Sequence, residues 1–452
     1  MPAPPATCAQ RSTMVCPRHQ RRTLTCMKRM RRCSHMELLD PTPVAEVRYG
    51  YRISDIRIFD LMFLIIVNVA LFGEAIQRVT GFSYCDEIAT IYLVVCAVFT
   101  NGGRRAHLEH ISTVSKCSLL LLFFVCLIGV FGNLFGGVNV AMPAILTDLF
   151  TCCKFPVALI ASIYACPSSR VLSSAFEFEA RLLILIMAFL GLANLFFDFG
   201  MGSEPRFGLR ASFVFVFDHP TYLVFCVAGL VAYLMKSMED NLPYIAVGLF
   251  VACLSLRSKA FAFAGICLFL LITFGKCGRL SFWHFLFGFM VVLFIGYDQF
   301  VNYYQSAGAA RAELARQSVA VAGDFFPLGS GFATYGSAVT AQLCYYSPLY
   351  FSYGLSSVWG LAPGASSFLS DTFWPTVMAQ FGYFGFIVFT VLLIALFAMC
   401  YLAEKGSRLA VVCAFAYLLI SSTSESAFFN PSAVYIAMCM GLAISSERAI
   451  RS

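Results

Sequence analysis

Apolar residues in this chain come in blocks of 15 to 27, with polar residues gathered between them. A hydrocarbon core of about 30 Å takes about 20 helical residues, and a segment in lipid must pair its own backbone groups, so blocks of this length predict helices that cross a membrane. They lie at 59–74, 84–100, 117–137, 141–165, 182–198, 212–235, 242–256, 260–275, 280–298, 376–402, 409–424 and 431–446, which predicts twelve spans. The pattern divides the chain into a tail (1–58), nine spans (59–298), one long connection (299–375), and three spans with a short terminus (376–452). Composition agrees, since 60% hydrophobic and 12% charged residues exceed what a soluble domain can bury. The fold class expected is all-α, a polytopic integral membrane protein.

Charge orients the spans. Eleven of the 31 Lys and Arg precede residue 59, including Arg21-Arg22 and the run Lys28-Arg29-Met30-Arg31-Arg32. The positive-inside bias makes this tail cytoplasmic. Strict alternation puts both termini inside and leaves seven basic residues outside: Arg78, Arg206, Arg210, Arg257, Lys259, Arg311 and Arg316. Lys154 falls within a block, and the pattern offers it no partner. The net charge of +7 follows from this bias and the basic tail, so no nucleic-acid partner is implied. The first 35 residues lack apolar periodicity and read as a disordered tail on an anionic leaflet, or as sequence ahead of a start at Met36. No apolar h-region follows their charges, as a cleaved signal peptide would require. Most of the nineteen cysteines lie in the tail or within blocks, and outside the membrane only Cys85 and Cys344 could pair. The absence of CxxC and HxxxH spacings implies no metal, and no cofactor is indicated.

The connection from Val301 to Trp374 has 74 residues, far more than an ordinary loop, and is expected to carry function. Gly308 to Gly323 has a helical signal, with Gly323 as C-cap and Pro327 after it. Gly329 and Gly331 follow in a turn-rich stretch and would let a ligand approach the main chain. Tyr335, Tyr345, Tyr346, Tyr350, Phe351, Tyr353 and Trp359 offer faces to sugar rings, or simply favour a membrane interface.

Arg311 followed by Pro327-Leu-Gly-Ser-Gly331, the stretch Asp371 to Gly385 closing on Gly382 and Gly385, Arg206 and Arg210 leading to His219-Pro220, and Ser255-Leu-Arg257-Ser258 together resemble the O-antigen polymerase and ligase superfamily of bacterial surface-polysaccharide assembly. The resemblance covers about half the chain, from residue 200 onward. It implies a GT-C-like, all-α glycosyltransferase of the bacterial cytoplasmic membrane. Its donor and acceptor would be undecaprenyl-diphosphate-linked glycans, and flippase and chain-length regulator proteins would be partners. The departing diphosphate needs fixed positive charge, which guanidinium groups supply in bidentate form. Arg311 and Arg210 are then expected to act in catalysis, with Arg316, Arg257, Arg206 and His219 binding substrate alongside Gly329 and Gly331. Asp371 is the first candidate to accept the proton of the attacking hydroxyl. Simpler roles compete: a surface pair with Glu313 for Arg316, snorkelling beside Lys259 for Arg257, helix capping for Asp371 and His219. Positions 298–375 contain no histidine, unlike ligase-type relatives, which favours polymerase over ligase. The non-enzymatic alternative, a transporter of lipid-linked oligosaccharide, should carry its polar residues along the bilayer midplane in paired halves.

Overall fold

A computed structural model describes residues 58–99, 109–205, 211–277, 309–364 and 368–451, with isolated residues between 282 and 297. Helices occupy every predicted block except 280–298, which lies largely outside the described residues, as do the tail and the pair Arg206 and Arg210. They are α1 (Ile58–Leu71), α2 (Gly73–Thr80), α3 (Cys85–Phe99), α4 (Glu109–Phe135), α5 (Met142–Ala165), α6 (Arg170–Phe196), α7 (Pro220–Leu234), α8 (Met238–Leu254) and α9 (Ser258–Cys277). In and after the long connection come α10 (Ala310–Asp324), α11 (Ala338–Leu343), α12 (Pro348–Ser352), α13 (Trp374–Ala403), α14 (Arg408–Ser421) and α15 (Ser432–Arg451). A two-stranded antiparallel ribbon, β1 (Gly202–Pro205) with β2 (Ala211–Phe213), is the only sheet among the described residues.

By length and composition, five stretches can cross a membrane: Ile111–Phe135, Met142–Ala165, Arg170–Phe196, Pro220–Leu254 and Trp374–Ala403. A sixth forms if Ile58–Leu71 and Gly73–Thr80, bent by 70°, count as one span. The 35 residues Pro220–Leu254 are not one rod, however. A Cβ on Gly248 would lie 2.7 Å from Val231 Cγ2, and residues 17 apart touch only if the chain doubles back. The reversal falls at Met235–Ser237, where Ser237 leaves helical geometry at φ −121°, ψ 61°.

Two of the boundaries that differ from the block pattern show their physical reasons plainly. Helix α6 starts at Arg170, twelve residues ahead of the apolar block, because Ser169 caps it and its polar first turns are satisfied by neighbours. Arg181 bonds Glu177 and Asn241, while Lys236 reaches Ser173, Tyr233 and Glu177. Residues 212–219 form strand and turn rather than the start of a span, and helix begins only at Pro220, whose fixed φ suits a first turn.

Every residue of α7 except the half-buried Tyr222 is buried, as expected of a helix apolar on all sides and placed centrally. It packs against α8, α14 and α15, and Gly229 admits the ring of Tyr435 where a Cβ would lie 2.3 Å from it. Leu119, Leu120, Phe123 and Phe124 of α4, with Leu182, Leu185 and Phe189 of α6, face outward as a lipid-facing rim would. The chain is thus an all-α membrane protein. Lys154, unexplained in the sequence, lies buried in α5 and bonds Asp86 Oδ2 at 2.5 Å and Glu87 Oε1 at 2.8 Å. Removing one partner from a buried ion pair costs about 3–5 kcal/mol. Lys154→Met should therefore lower the thermal unfolding temperature in detergent, and adding Asp86→Asn with Glu87→Gln should restore part of the loss. A single variant as stable as wild type would deny the triad a structural role.

The long connection does not hang free. Its turn at 325–337 docks onto α4, α5 and α13 through backbone contacts. Helix α13 breaks at Gly382 (φ 64°, ψ −174°), which frees two carbonyls of the preceding turn. Ser330 and Gly331 donate their N–H groups to these, Ala379 at 3.0 Å and Gln380 at 2.9 Å. Asn133 of α4 clasps Phe332 from both sides, accepting from its N–H at 2.8 Å and donating to its carbonyl at 2.9 Å. Asp148 of α5 accepts from Ala333 N–H and the Gln380 amide at 2.7 and 2.6 Å. The backbone groups that join the turn to these helices are paired, so the turn is an integral part of the fold.

Candidate functional site

Ionic side chains from five parts of the chain gather where the long connection meets the helix bundle. Arg311 stands in the first turn of α10 and donates through Nη2 to Asp371 Oδ2 at 2.8 Å, with a longer 3.4 Å contact to the carbonyl of Ser424. Asp371 closes a single 3-10 turn just ahead of α13 and caps neither end of that helix. Its pairing with Arg311 replaces the capping role that the sequence left open. Arg257 precedes α9, in a turn where Leu256 takes a left-handed φ of 51° and swings the chain round. Its Nη2 lies 2.8 Å from His219 Nε2 at the start of α7. Lys259, in the first turn of α9, donates to Thr221 Oγ1 at 2.9 Å and pairs with Glu425 at 2.6 Å. Glu425 sits in the connection between α14 and α15, next to the Ser424 carbonyl that faces Arg311.

The Nδ1 of His219 accepts the Thr221 N–H at 3.3 Å and so caps the start of α7, the simpler role the sequence offered, while its Nε2 faces Arg257.

Burial grades the cluster from mouth to floor. Lys259 and Glu425 are deeply buried, Arg311 and Asp371 are 16% and 24% exposed, and His219 is open. Burial raises the Asp371 carboxyl above its ordinary value near 3.8, while Arg311, Lys259 and Arg257 pull the other way. All three cations therefore act on one carboxylate. Four helices, α7, α9, α10 and α13, begin beside these residues, and helix N-termini carry partial positive charge that favours anions.

Other expected site residues stand elsewhere. Arg316 is 72% exposed and bound to Glu313, the surface pair foreseen as its simpler role, and it holds the Glu313 carboxyl below the ordinary range. Gly329 and Gly331 do adopt positive φ and permit a close approach, but what approaches is the chain itself. A Cβ on Gly329 would lie 2.2 Å from the Gly382 nitrogen, and one on Gly331 would lie 2.4 Å from that of Asn133. Their expected substrate-binding role gives way to packing. Arg206 and Arg210 fall outside the described residues. Among the described residues no group of three or more His, Cys, Asp or Glu could hold a metal ion, and Cys85 and Cys344 are free thiols.

Lys259 and Glu425 were not among the expected site residues. The available signal was the run Ser421-Ser-Thr-Ser-Glu-Ser426, six polar residues at the end of an apolar block with one carboxylate among them. The chain matches no family model and no curated protein. Its class as a polytopic all-α membrane protein rests on the helices described above.

Proposed function

We propose that this protein is a membrane glycosyltransferase of the polymerase type, with twelve spans, that joins lipid-diphosphate-linked oligosaccharide units at the outer face of the bacterial cytoplasmic membrane. The observation that carries this reading is the convergence of Arg311, Arg257 and Lys259 on Asp371 at one end of the bundle, beside four helix N-termini. Such a site suits a diphosphate leaving group with a proton acceptor beside it. In the reaction, the acceptor hydroxyl oxygen bonds to the anomeric carbon of the donor. The bond from that carbon to the diphosphate oxygen breaks, its electron pair leaves with the diphosphate, and the hydroxyl proton passes to the Asp371 carboxylate.

Purified protein given lipid-linked repeat units should lengthen them without added metal or nucleotide. Movement of intact units across a vesicle membrane with no new glycosidic bond would instead identify a transporter, and transfer to a non-lipid acceptor a ligase.

The raised carboxyl sets a pH dependence. The base form is lost as pH falls through the folded-state value, so the acid limb of kcat/KM should stand above the ordinary aspartate range of about 3.9. For stability the sign is opposite: a raised carboxyl favours the fold below its unfolded value and loses that contribution as pH rises through the folded one. An acid limb at or below the ordinary value would remove Asp371 as the titrating base.

A further inference from the structure

The cations of this cluster are already matched from within. Arg311 holds Asp371 at 2.8 Å, Lys259 holds Glu425 at 2.6 Å, Arg257 holds His219 at 2.8 Å, and at the edge Arg78 holds Asp218 at 2.9 Å. An incoming anion must therefore exchange with a group in place. The Lys259 pair is the most deeply buried and has Thr221 as a second anchor, so it is the hardest to open. Arg257 meets an imidazole, which carries no negative charge and needs no displacement on electrostatic grounds. The Arg311 pair is different. It combines a guanidinium with a carboxylate, both partly accessible.

We propose that Asp371 is a displaceable occupant of Arg311: the diphosphate of the donor takes its place on the guanidinium, and the carboxylate so released is then free to meet the acceptor hydroxyl. This rests on the function proposed above. A diphosphate carries more than one negative charge and binds a guanidinium in bidentate fashion, so it outcompetes one carboxylate oxygen. While bonded to Arg311 the carboxylate is a poor base, because the guanidinium favours its charged form. Its release makes it more basic, and the Lys259 and Arg257 charges that also reach it remain in place to be shared with the diphosphate. Donor must then bind before acceptor is activated. Binding and turnover respond oppositely to the same carboxylate.

The test uses full-length protein in lipid nanodiscs with inorganic pyrophosphate as probe, comparing wild type, Asp371→Asn and Arg311→Ala, and following chain elongation in parallel. Asp371→Asn should bind pyrophosphate at least about tenfold more tightly than wild type while losing elongation, since it removes a like charge from contact range in a partly buried site. Arg311→Ala should bind more weakly than wild type. Equal or weaker binding by Asp371→Asn, with wild-type binding intact, would overturn the displacement and leave the proposed function standing. Failure of all three proteins to bind would overturn both. Asp371→Ser removes the same charge and takes the place of Asp371→Asn in the assay if that variant does not elute as a single folded species.

Discussion

Arg311→Ala is expected to cut chain growth by a factor on the order of 10² to 10³, the usual cost of removing one preorganised donor from a developing negative charge. The effect should be large because of where the residue stands. Its side chain is only 16% exposed, so water replaces it poorly, and the α10 terminus adds to the positive potential there. Lys259 and Arg257 still act on the Asp371 carboxyl after the substitution, which limits the structural damage. Arg311→Lys keeps the charge and loses the planar fork, so it should recover only part of the activity. The measurement is glycan length on gels from cells lacking the gene and complemented with each variant at matched protein levels. A ladder restored by Arg311→Ala as fully as by wild type would remove this residue from the mechanism.

The second large effect is expected at a position remote from the chemistry. Gly382→Ala should abolish accumulation of folded protein. At φ 64°, ψ −174° a side chain is strained by about 1–3 kcal/mol, and an added Cβ would lie 2.6 Å from the Gly329 nitrogen and 2.7 Å from the Pro327 carbonyl. Backbone cannot move aside as a flexible side chain can, so overpacking adds about 1–3 kcal/mol more. That sum is a large share of the stability of a typical domain. Size-exclusion chromatography of detergent extracts should show loss of the monodisperse peak, and a normal peak with normal thermal stability would refute the packing account. Gly385→Ala, which meets the side chains of Phe381 and Ile128 rather than docked loop backbone, should be tolerated better.

Much of the architecture was legible in the chain because lipid imposes a simple rule on long apolar blocks. What the blocks missed depended on partners distant in sequence. The polar start of α6 looks like loop until Lys236 and Asn241 are brought beside Glu177 and Arg181. Lys154 looks misplaced until Asp86 and Glu87 arrive from 68 and 67 residues away. At the site, Arg311 and Arg257 could be picked out because fixed positive charge suits an expected diphosphate, and Asp371 because a hydroxyl's proton needs an acceptor. Lys259 escaped notice as a snorkelling companion, and Glu425 because it stands in a short connection between two predicted spans. The role of Gly329 and Gly331 was half visible: glycine announces a close approach but not what makes it.

The clasp between the turn at 325–337 and the broken helix α13 also bears on how this chain can change over generations. Every backbone donor and acceptor that joins Ser330, Gly331 and Phe332 to Ala379, Gln380 and Asn133 is tied to a fixed count of residues. One inserted residue between Gly329 and Ala333 would slip that register and leave the carbonyls freed at Gly382 without donors. Length variation among descendants of this sequence should therefore fall in the aromatic stretch beyond Ser337, where short helices and turns follow one another between the clasp and Asp371. That stretch can be remodelled while the clasp stays where it is.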